Sequence, residues 1–281
     1  MPMSDVDEIH ARPKIVGARI KRTEDPRLLT GRGAYTDDRQ PAGVLHVAFR
    51  RSDQSHARIA RIDCSAARAA PGVIAVFTAE DLSDVVKPVL ATSRMKDYYA
   101  TPIVPLARGK VRYVGEPVVG IVVESRYHAE DALEFVTIDY QPLPVVIDPE
   151  QALRAGAPLL HEEAGTNVLL SREFKRGDVD AALAAAPISV EGRFRMHRKT
   201  AVAIEPRACL AAWESSNDAL TLHSATQVPG IVRDALALAF GIPGDRIRVV
   251  AADVGGGFGG KVRSTRRRFS SAPRRGGWRA R

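Results

Sequence analysis

The sequence predicts an α+β protein built as two consecutive units. Three observations carry this. Short strands and short helices mix without the regular alternation of a parallel βαβ protein. A proline-rich break at Gln141-Pro142-Leu143-Pro144 interrupts regular structure near the middle of the chain. An apolar strand near the far end runs into a loop of five glycines around one phenylalanine, Gly255-Gly256-Gly257-Phe258-Gly259-Gly260, followed by Lys261. At 281 residues, with 45% hydrophobic and 26% charged residues, the chain has the composition of an ordinary globular protein and room for two cores.

In order, residues 1–26 are polar and Arg-rich and read as an extended arm. Val44–Phe49 and Ile59–Ile62 alternate as strands. Ser65–Ala70 is a short helix stopped by Pro71-Gly72, and Val73–Phe77 is a strand after it. Residues 83–110 show no clear period. Pro117–Glu124 is a near-continuous apolar run and reads as a buried strand, followed by a helix over Tyr127–Phe135 and a strand over Val136–Tyr140. Residues 141–166 form a connection with one short helix, Pro149–Ala155, whose proline suits a first turn. Asp178 caps an alanine-rich helix ending near Ala186-Pro187. Strands follow at Ile188–Met196, Ala208–Trp213 and Leu220–Ala225. A turn at Thr226-Gln227-Val228-Pro229 leads into the helix Ile231–Phe240, closed by Gly241. The strand Ile247–Val254 then feeds the glycine loop.

Charge singles out the end of the chain. The net charge is +8, from 41 basic and 33 acidic residues. Eight arginines and no acid lie between Val262 and Arg281, and without them basic and acidic residues balance at 33 each. A basic arm for nucleic acid is one reading. The other is a GC-rich gene read out of frame. Sliding the frame by one base allows Phe-Asp-Pro-Glu-Glu followed by an apolar helix ending in basic residues. The second reading is preferred, because the body is neutral and no DNA-binding motif is present. Cys64 and Cys209 form no CxxC pair, so no zinc or iron–sulfur signature is written here and a reducing cytoplasmic setting is expected. The N-terminus lacks the apolar core of a secretory signal, and no apolar run reaches the length of a membrane span.

The glycine loop fits two generic motifs poorly. Gly255-x-Gly257-x-x-Gly260 matches the dinucleotide fingerprint, but no helix and no ribose-binding acid follow. Gly260-Lys261 ends a P-loop pattern, but Val262 stands where Ser or Thr should hold Mg²⁺. A bare glycine turn without a ligand is the third reading. Alone, Gln227 reads as a turn residue fixing local backbone, Phe258 as core packing, and Lys261 as equally a phosphate ligand or a solvated lysine. Glu205-Pro206-Arg207 reads as an ion pair orienting a strand. His197 and His223 lack ligand spacing, and no metal site made of side chains is evident.

Together with other landmarks the loop resembles that of the molybdenum-binding large subunits of the xanthine dehydrogenase and aldehyde oxidase family, most of all the branch that includes aerobic carbon monoxide dehydrogenases. The matching stretches are Gly17–Arg22 with Glu24–Gly31, Ser55–Ile59, Pro71–Val73, Val111–Val118, Asp139–Pro144, Glu205–Arg207, Ser224–Gln227 and the glycine loop. The resemblance runs from Gly17 to Lys261. It implies an α/β hammerhead domain over residues 27–142, a linker over 143–166 and the start of the molybdopterin-binding domain over 167–261, with 262–281 an out-of-frame tail. It implies water-derived hydroxylation of aldehydes or N-heterocycles, or carbon monoxide oxidation, at a molybdenum–molybdopterin cytosine dinucleotide centre. Electrons would pass to a 2Fe-2S small subunit and an FAD-binding medium subunit. Gln227 corresponds to the glutamine that hydrogen-bonds an oxygen ligand of molybdenum, and Gly256, Gly257, Phe258 and Gly259 to the loop beside the metal, with Phe258 walling the substrate channel. Purine-oxidising members carry Glu where this chain has Val262, which argues against xanthine as substrate. The catalytic glutamate of the family lies beyond the matched stretch, so no catalytic residue is assigned. The expectation is an incomplete subunit, about the first third of one, inactive alone, with a cofactor-binding or assembly module as the alternative.

Overall fold

The computed structural model describes residues 15–90 and 95–262. The expectations for residues 1–14 and for the arginine-rich segment 263–281 lie outside the described residues. The architecture is α+β among the described residues, with two three-stranded antiparallel sheets and one two-stranded antiparallel pair in the first unit and one mixed sheet in the second.

The first sheet has the order β1–β7–β3, from β1 (His46–Arg51), β3 (Val73–Phe77) and β7 (Pro117–Val123), all antiparallel. The central strand β7 is the apolar run read from sequence. Val118, Val119, Ile121 and Val123 have no exposed surface, and each such burial contributes about 1.5–3 kcal/mol before entropy is counted. The helix α4 (Arg126–Glu134) packs Ala129 and Ala132 against it. Ser125 caps α4 by accepting the His128 N–H. The second sheet is β6–β2–β8, from β2 (Ala57–Asp63), β6 (Lys110–Val111) and β8 (Thr137–Pro142). Between these elements lie two short helices, α2 (Ser65–Ala69) and α3 (Ala79–Leu82), and a small hairpin, β4 (Val89–Leu90) with β5 (Pro102–Ile103). The described residues of the stretch 83–110, aperiodic in sequence, thus contribute strands only two residues long.

The second unit holds a three-stranded sheet in the order β11–β10–β9. Strand β9 (Cys209–Glu214) is antiparallel to β10 (Ala219–Ser224), and β11 (Ile247–Val250) is parallel to it. The helix α7 (Pro229–Phe240) crosses between β10 and β11, with proline in its first turn and Gly241 in the left-handed region at its end. Val232, Leu236 and Ala239 meet Leu220 and Leu222 in a dry core. Val86 and Val89 from the first unit join this core, and Lys87 N–H donates to the Ala239 carbonyl at 2.8 Å. The two units are therefore packed together, not merely tethered.

Four expectations are corrected. The arm is not extended to residue 26, because Asp25–Leu29 form a helical turn, α1, with Pro26 at its start. The connecting helix α5 (Pro149–Ala152) stops before Ala155. The strand expected over Ile188–Met196 is absent. Its residues adopt no regular structure and pair with no strand among the described residues, and Ile188, Val190, Phe194 and Met196 are each at least 80% exposed. The alternating arginines Arg193 and Arg195 instead bind Glu150 and Asp148. Finally, β11 ends at Val250 rather than Val254, because its ladder on β10 ends at the pair His223–Val250. The expected Asp178 cap is present, accepting the Ala181 N–H of α6 (Val179–Ala185). No helix among the described residues is long and apolar enough to cross a membrane.

Gly72 locks the first unit. Its φ is +72°, and a Cβ there would lie 2.1 Å from His128 Nδ1. Gly72→Ala should destabilise the protein by roughly 1–3 kcal/mol, from left-handed strain and overpacking. Urea denaturation checks this, and His128→Ala in the same background should recover only the steric share. An unchanged midpoint in Gly72→Ala would contradict the packing.

Candidate functional site

The glycine loop leaves β11 through Ala251–Val254 and is bound by side chains from three other parts of the chain. At its entrance, Asp253 accepts a bidentate hydrogen bond from Arg27 of α1 and one from the Ala34 N–H at 2.7 Å. The Arg27 guanidinium holds the Asp253 carboxyl down at about 2, with the Ala34 N–H adding to the effect. Next, Glu205 accepts the Gly255 N–H and the Lys261 ammonium, both on Oε2 at 2.8 Å. At the exit, Arg207 donates to the Gly260 carbonyl at 2.8 Å.

Glu205 and Arg207 therefore do not form the mutual ion pair expected from sequence. Arg207 holds only the exit of the loop, whereas Glu205 bridges its two ends, and the acid's charged partner is Lys261. Lys261 is neither solvated nor free for phosphate. Its side chain is 3% exposed and that of Glu205 11%.

Within the loop the backbone is left-handed at Gly256 (φ 95°), Phe258 (47°) and Gly259 (79°). Glycine adopts this without strain, whereas at Phe258 it costs about 1–2 kcal/mol. Turns of this kind let successive N–H groups face one concavity. The N–H groups of Gly257, Phe258 and Gly259 have no partner among the described residues. Phe258 is 79% exposed, so its aromatic ring is not spent on core packing.

Gln227 lies directly against this turn. A Cβ at Gly257 would sit 2.4 Å from Gln227 Cδ, so only glycine lets the side chain approach. Gln227 Oε1 accepts the Lys261 N–H at 3.3 Å. With its oxygen engaged, the Nε2 donors of the amide have no partner among the described residues. The structure thus brings Gln227 together with Gly257 and places Phe258 and Gly259 on the exposed rim. Gly256 instead abuts Ala203, 3.2 Å from a Cβ built there. A cavity of about 270 Å³ lies beside the loop, lined by Ala201, Ala203, Glu205, Arg207, Gly257 and Lys261.

His223 is half-buried on β10, where burial lowers its pKa, and His197 is exposed. Among the described residues no group of three or more His, Cys, Asp or Glu side chains could hold a metal. The donor set is one of N–H groups, suited to a ligand bearing oxygen or negative charge. Sequence reasoning missed Arg27, Asp253 and the role of Glu205. Glu205 carried a signal, being a lone acid after the apolar run Val202-Ala203-Ile204.

Two outcomes follow from this geometry. Asp253 is depressed on folding, from 3.8 to about 2. Its pairing therefore contributes fully above the unfolded value and is lost as pH falls through the folded one. Stability should decline from about pH 4 to about pH 2 partly through this group, and Asp253→Asn should flatten that decline. A carboxyl ¹³C titration near the ordinary value would contradict the pairing. Gly257→Ala should displace Gln227 and speed hydrogen exchange at the Lys261 amide. Unchanged exchange there would contradict the contact.

The chain is similar to known proteins along most of its length. Residues 30–144 match the family model of the aldehyde oxidase and xanthine dehydrogenase a/b hammerhead domain, and residues 160–272 that of the molybdopterin cofactor-binding domain. The nicotine 6-hydroxylase large subunit of Paenarthrobacter nicotinovorans is 41% identical over 248 residues, 88% of this chain and 30% of that protein. The carbon monoxide dehydrogenase large chain of Afipia carboxidovorans is 37% identical over 263 residues, 88% of this chain and 32% of that one. The crystal structure of quinoline 2-oxidoreductase from Pseudomonas putida 86 superposes with a TM-score of 0.85 at 37% identity, covering 90% of this chain and 32% of that chain. The chain spans about 30% of the length of the curated relatives. With both domain models in sequence order and a shared fold, the chain belongs to the xanthine dehydrogenase and aldehyde oxidase family and corresponds to part of its molybdopterin-binding large subunit.

Proposed function

We propose that this chain forms the glycine-loop side of a molybdenum–pterin hydroxylase site and is one part of a larger catalytic subunit. The observation that carries the reading is the set of unspent donors, the N–H groups of Gly257, Phe258 and Gly259 with the unpartnered Nε2 of Gln227, which packs against the same turn. The cradle fits an oxygen-bearing group, because a Cβ at Gly257 would collide with Gln227. When bound, the molybdenum–pterin cofactor supplies the redox chemistry by which water-derived oxygen reaches an aldehyde or N-heterocycle, or by which carbon monoxide is oxidised.

The residues of this chain bind and orient. The loop N–H groups and Gln227 would hold the oxygen-bearing part of the cofactor by donating hydrogen bonds, and donors fixed in place by the protein would need no rearrangement as charge develops. Gln227 does not titrate, so its donation is insensitive to pH. Phe258 offers an aromatic wall for a substrate channel. Val262 supplies no carboxylate at the position where purine-oxidising members have one, which points away from xanthine. Gln227, Gly256, Gly257, Phe258 and Gly259 are thus assigned to cofactor binding, and no catalytic residue is assigned.

The domain division proposed is a hammerhead over 27–142, a linker over 143–166 and part of the cofactor-binding domain over 167–261. The cofactor form proposed is the cytosine dinucleotide, and the partners are a 2Fe-2S small subunit and an FAD-binding medium subunit in the cytoplasm. The names of the relatives support a multi-subunit setting: a large subunit, a large chain, and "6-hydroxypseudooxynicotine dehydrogenase complex subunit gamma", 34% identical over 252 residues. The exposed apolar face Ile188–Met196 supports a surface that further polypeptide covers.

The reading is tested by purifying the 281-residue protein from molybdate-supplied cells and measuring molybdenum, pterin and aldehyde or N-heterocycle hydroxylation. The expected result is far less than one molybdenum per chain and no turnover. Hydroxylase activity with stoichiometric molybdenum would show that the chain alone completes a site.

A further inference from the structure

Lys261 has no role in the proposed chemistry, yet every polar group it carries is committed. Its Nζ donates to Glu205 Oε2 at 2.8 Å. Its N–H donates to Gln227 Oε1 at 3.3 Å. Its carbonyl accepts the Gln227 N–H at 3.3 Å and the Thr226 hydroxyl at 3.1 Å. Thr226 is itself buried, and its Oγ1 accepts the Val228 N–H at 3.2 Å. The residue therefore bridges the acid that grips the loop entrance and the glutamine that flanks the turn.

The bridge has a direction. Glu205 Oε2 receives both the Lys261 ammonium and the Gly255 N–H, so one carboxylate oxygen draws the two ends of the loop together. The Glu205 N–H adds a bond to the Gly255 carbonyl at 3.0 Å. With its ends joined, the loop holds the Lys261 N–H against Gln227 Oε1. That contact decides which end of the amide turns outward, since an amide rotated by half a turn would set donor against donor.

We propose that Lys261 is a positioning residue: anchored by Glu205, it fixes the ends of the glycine loop and, through its main chain, orients the Gln227 amide with nitrogen toward the site. This rests on the reading that Gln227 and the loop donors face the cofactor, but its structural content needs no cofactor. A lysine that instead binds a cofactor phosphate would have to leave Glu205.

The test uses the ¹⁵N-labelled 281-residue protein. Lys261→Met keeps the stem and removes the charge. Amide exchange at Gly255 and Gln227 should rise roughly 10- to 100-fold, the factor that a lost charge-assisted hydrogen bond carries. The Gln227 side-chain NH₂ resonances should shift, while core amides of Val119 and Leu236 keep their protection. The double variant Lys261→Met, Glu205→Gln removes both charges and should restore part of the protection at Gly255. If the Gln227 side-chain resonances and backbone exchange stay unchanged in Lys261→Met, the proposal is overturned. It is also overturned if core protection is lost in both variants, since the pair would then support the fold as a whole. Titration of the unsubstituted protein with inorganic pyrophosphate gives a further arm. A shift of the Lys261 Nζ resonance would make it a phosphate ligand and overturn the proposal, and an unmoved resonance supports it.

Discussion

A loop built of glycine cannot hold its own shape. Five of the six residues from Gly255 to Gly260 have no side chain to pack, and glycine loses more conformational freedom on ordering than any other residue. The donors at Gly257, Phe258 and Gly259 must also stay unspent if a ligand is to use them. The loop is therefore fixed from outside, by Arg27 acting on Asp253, by Glu205 on Gly255 and Lys261, by Arg207 on Gly260 and by Gln227 against Gly257. The rest of the architecture serves this constraint. The sheet β9–β10–β11 delivers Gln227 and the loop from neighbouring strands, and the shared core at Val86 and Val89 holds the first unit close enough for α1 to reach Asp253.

The division of labour is physical. Buried charge would be costly if left unpaired, so Lys261 and Glu205 are paired and further bonded by backbone. Neutral donors, which tolerate exposure, are kept at the rim. Phe258 accepts left-handed strain and exposure together, a combination that persists where the surroundings impose it.

Much of this was legible in the sequence because it is local. The strand β7 is an uninterrupted apolar run, α7 has proline and glycine at its ends, and Asp178 caps where its type and position require. The glycine loop and Gln227 were legible as candidates from composition and from the order of landmarks. What was not legible is long-range. Nothing near Arg27 indicates that its partner is Asp253, 226 residues away. Glu205 and Arg207 stand two apart and suggested each other, yet Glu205 joins the two ends of the loop and Arg207 holds its exit. Ile188–Met196 carries the alternation of a strand, but a strand exists only with a neighbour to pair with, and the described residues supply none. The end of β11 likewise follows where its pairing with β10 stops, at His223–Val250, and not its own apolar residues, which continue to Val254.

The central claim is that the unspent N–H groups of the glycine loop and the Gln227 amide address the molybdenum–pterin group. The most direct measurement is a crystal structure of cofactor-loaded protein carrying this sequence, read for the distances from Gln227 Nε2 and from the Gly257, Phe258 and Gly259 nitrogens to the nearest cofactor oxygen. The account predicts hydrogen bonds of about 2.7–3.2 Å from Gln227 and from at least one loop nitrogen. Finding the loop donors turned to protein or solvent, with Gln227 out of reach of the cofactor, would contradict it.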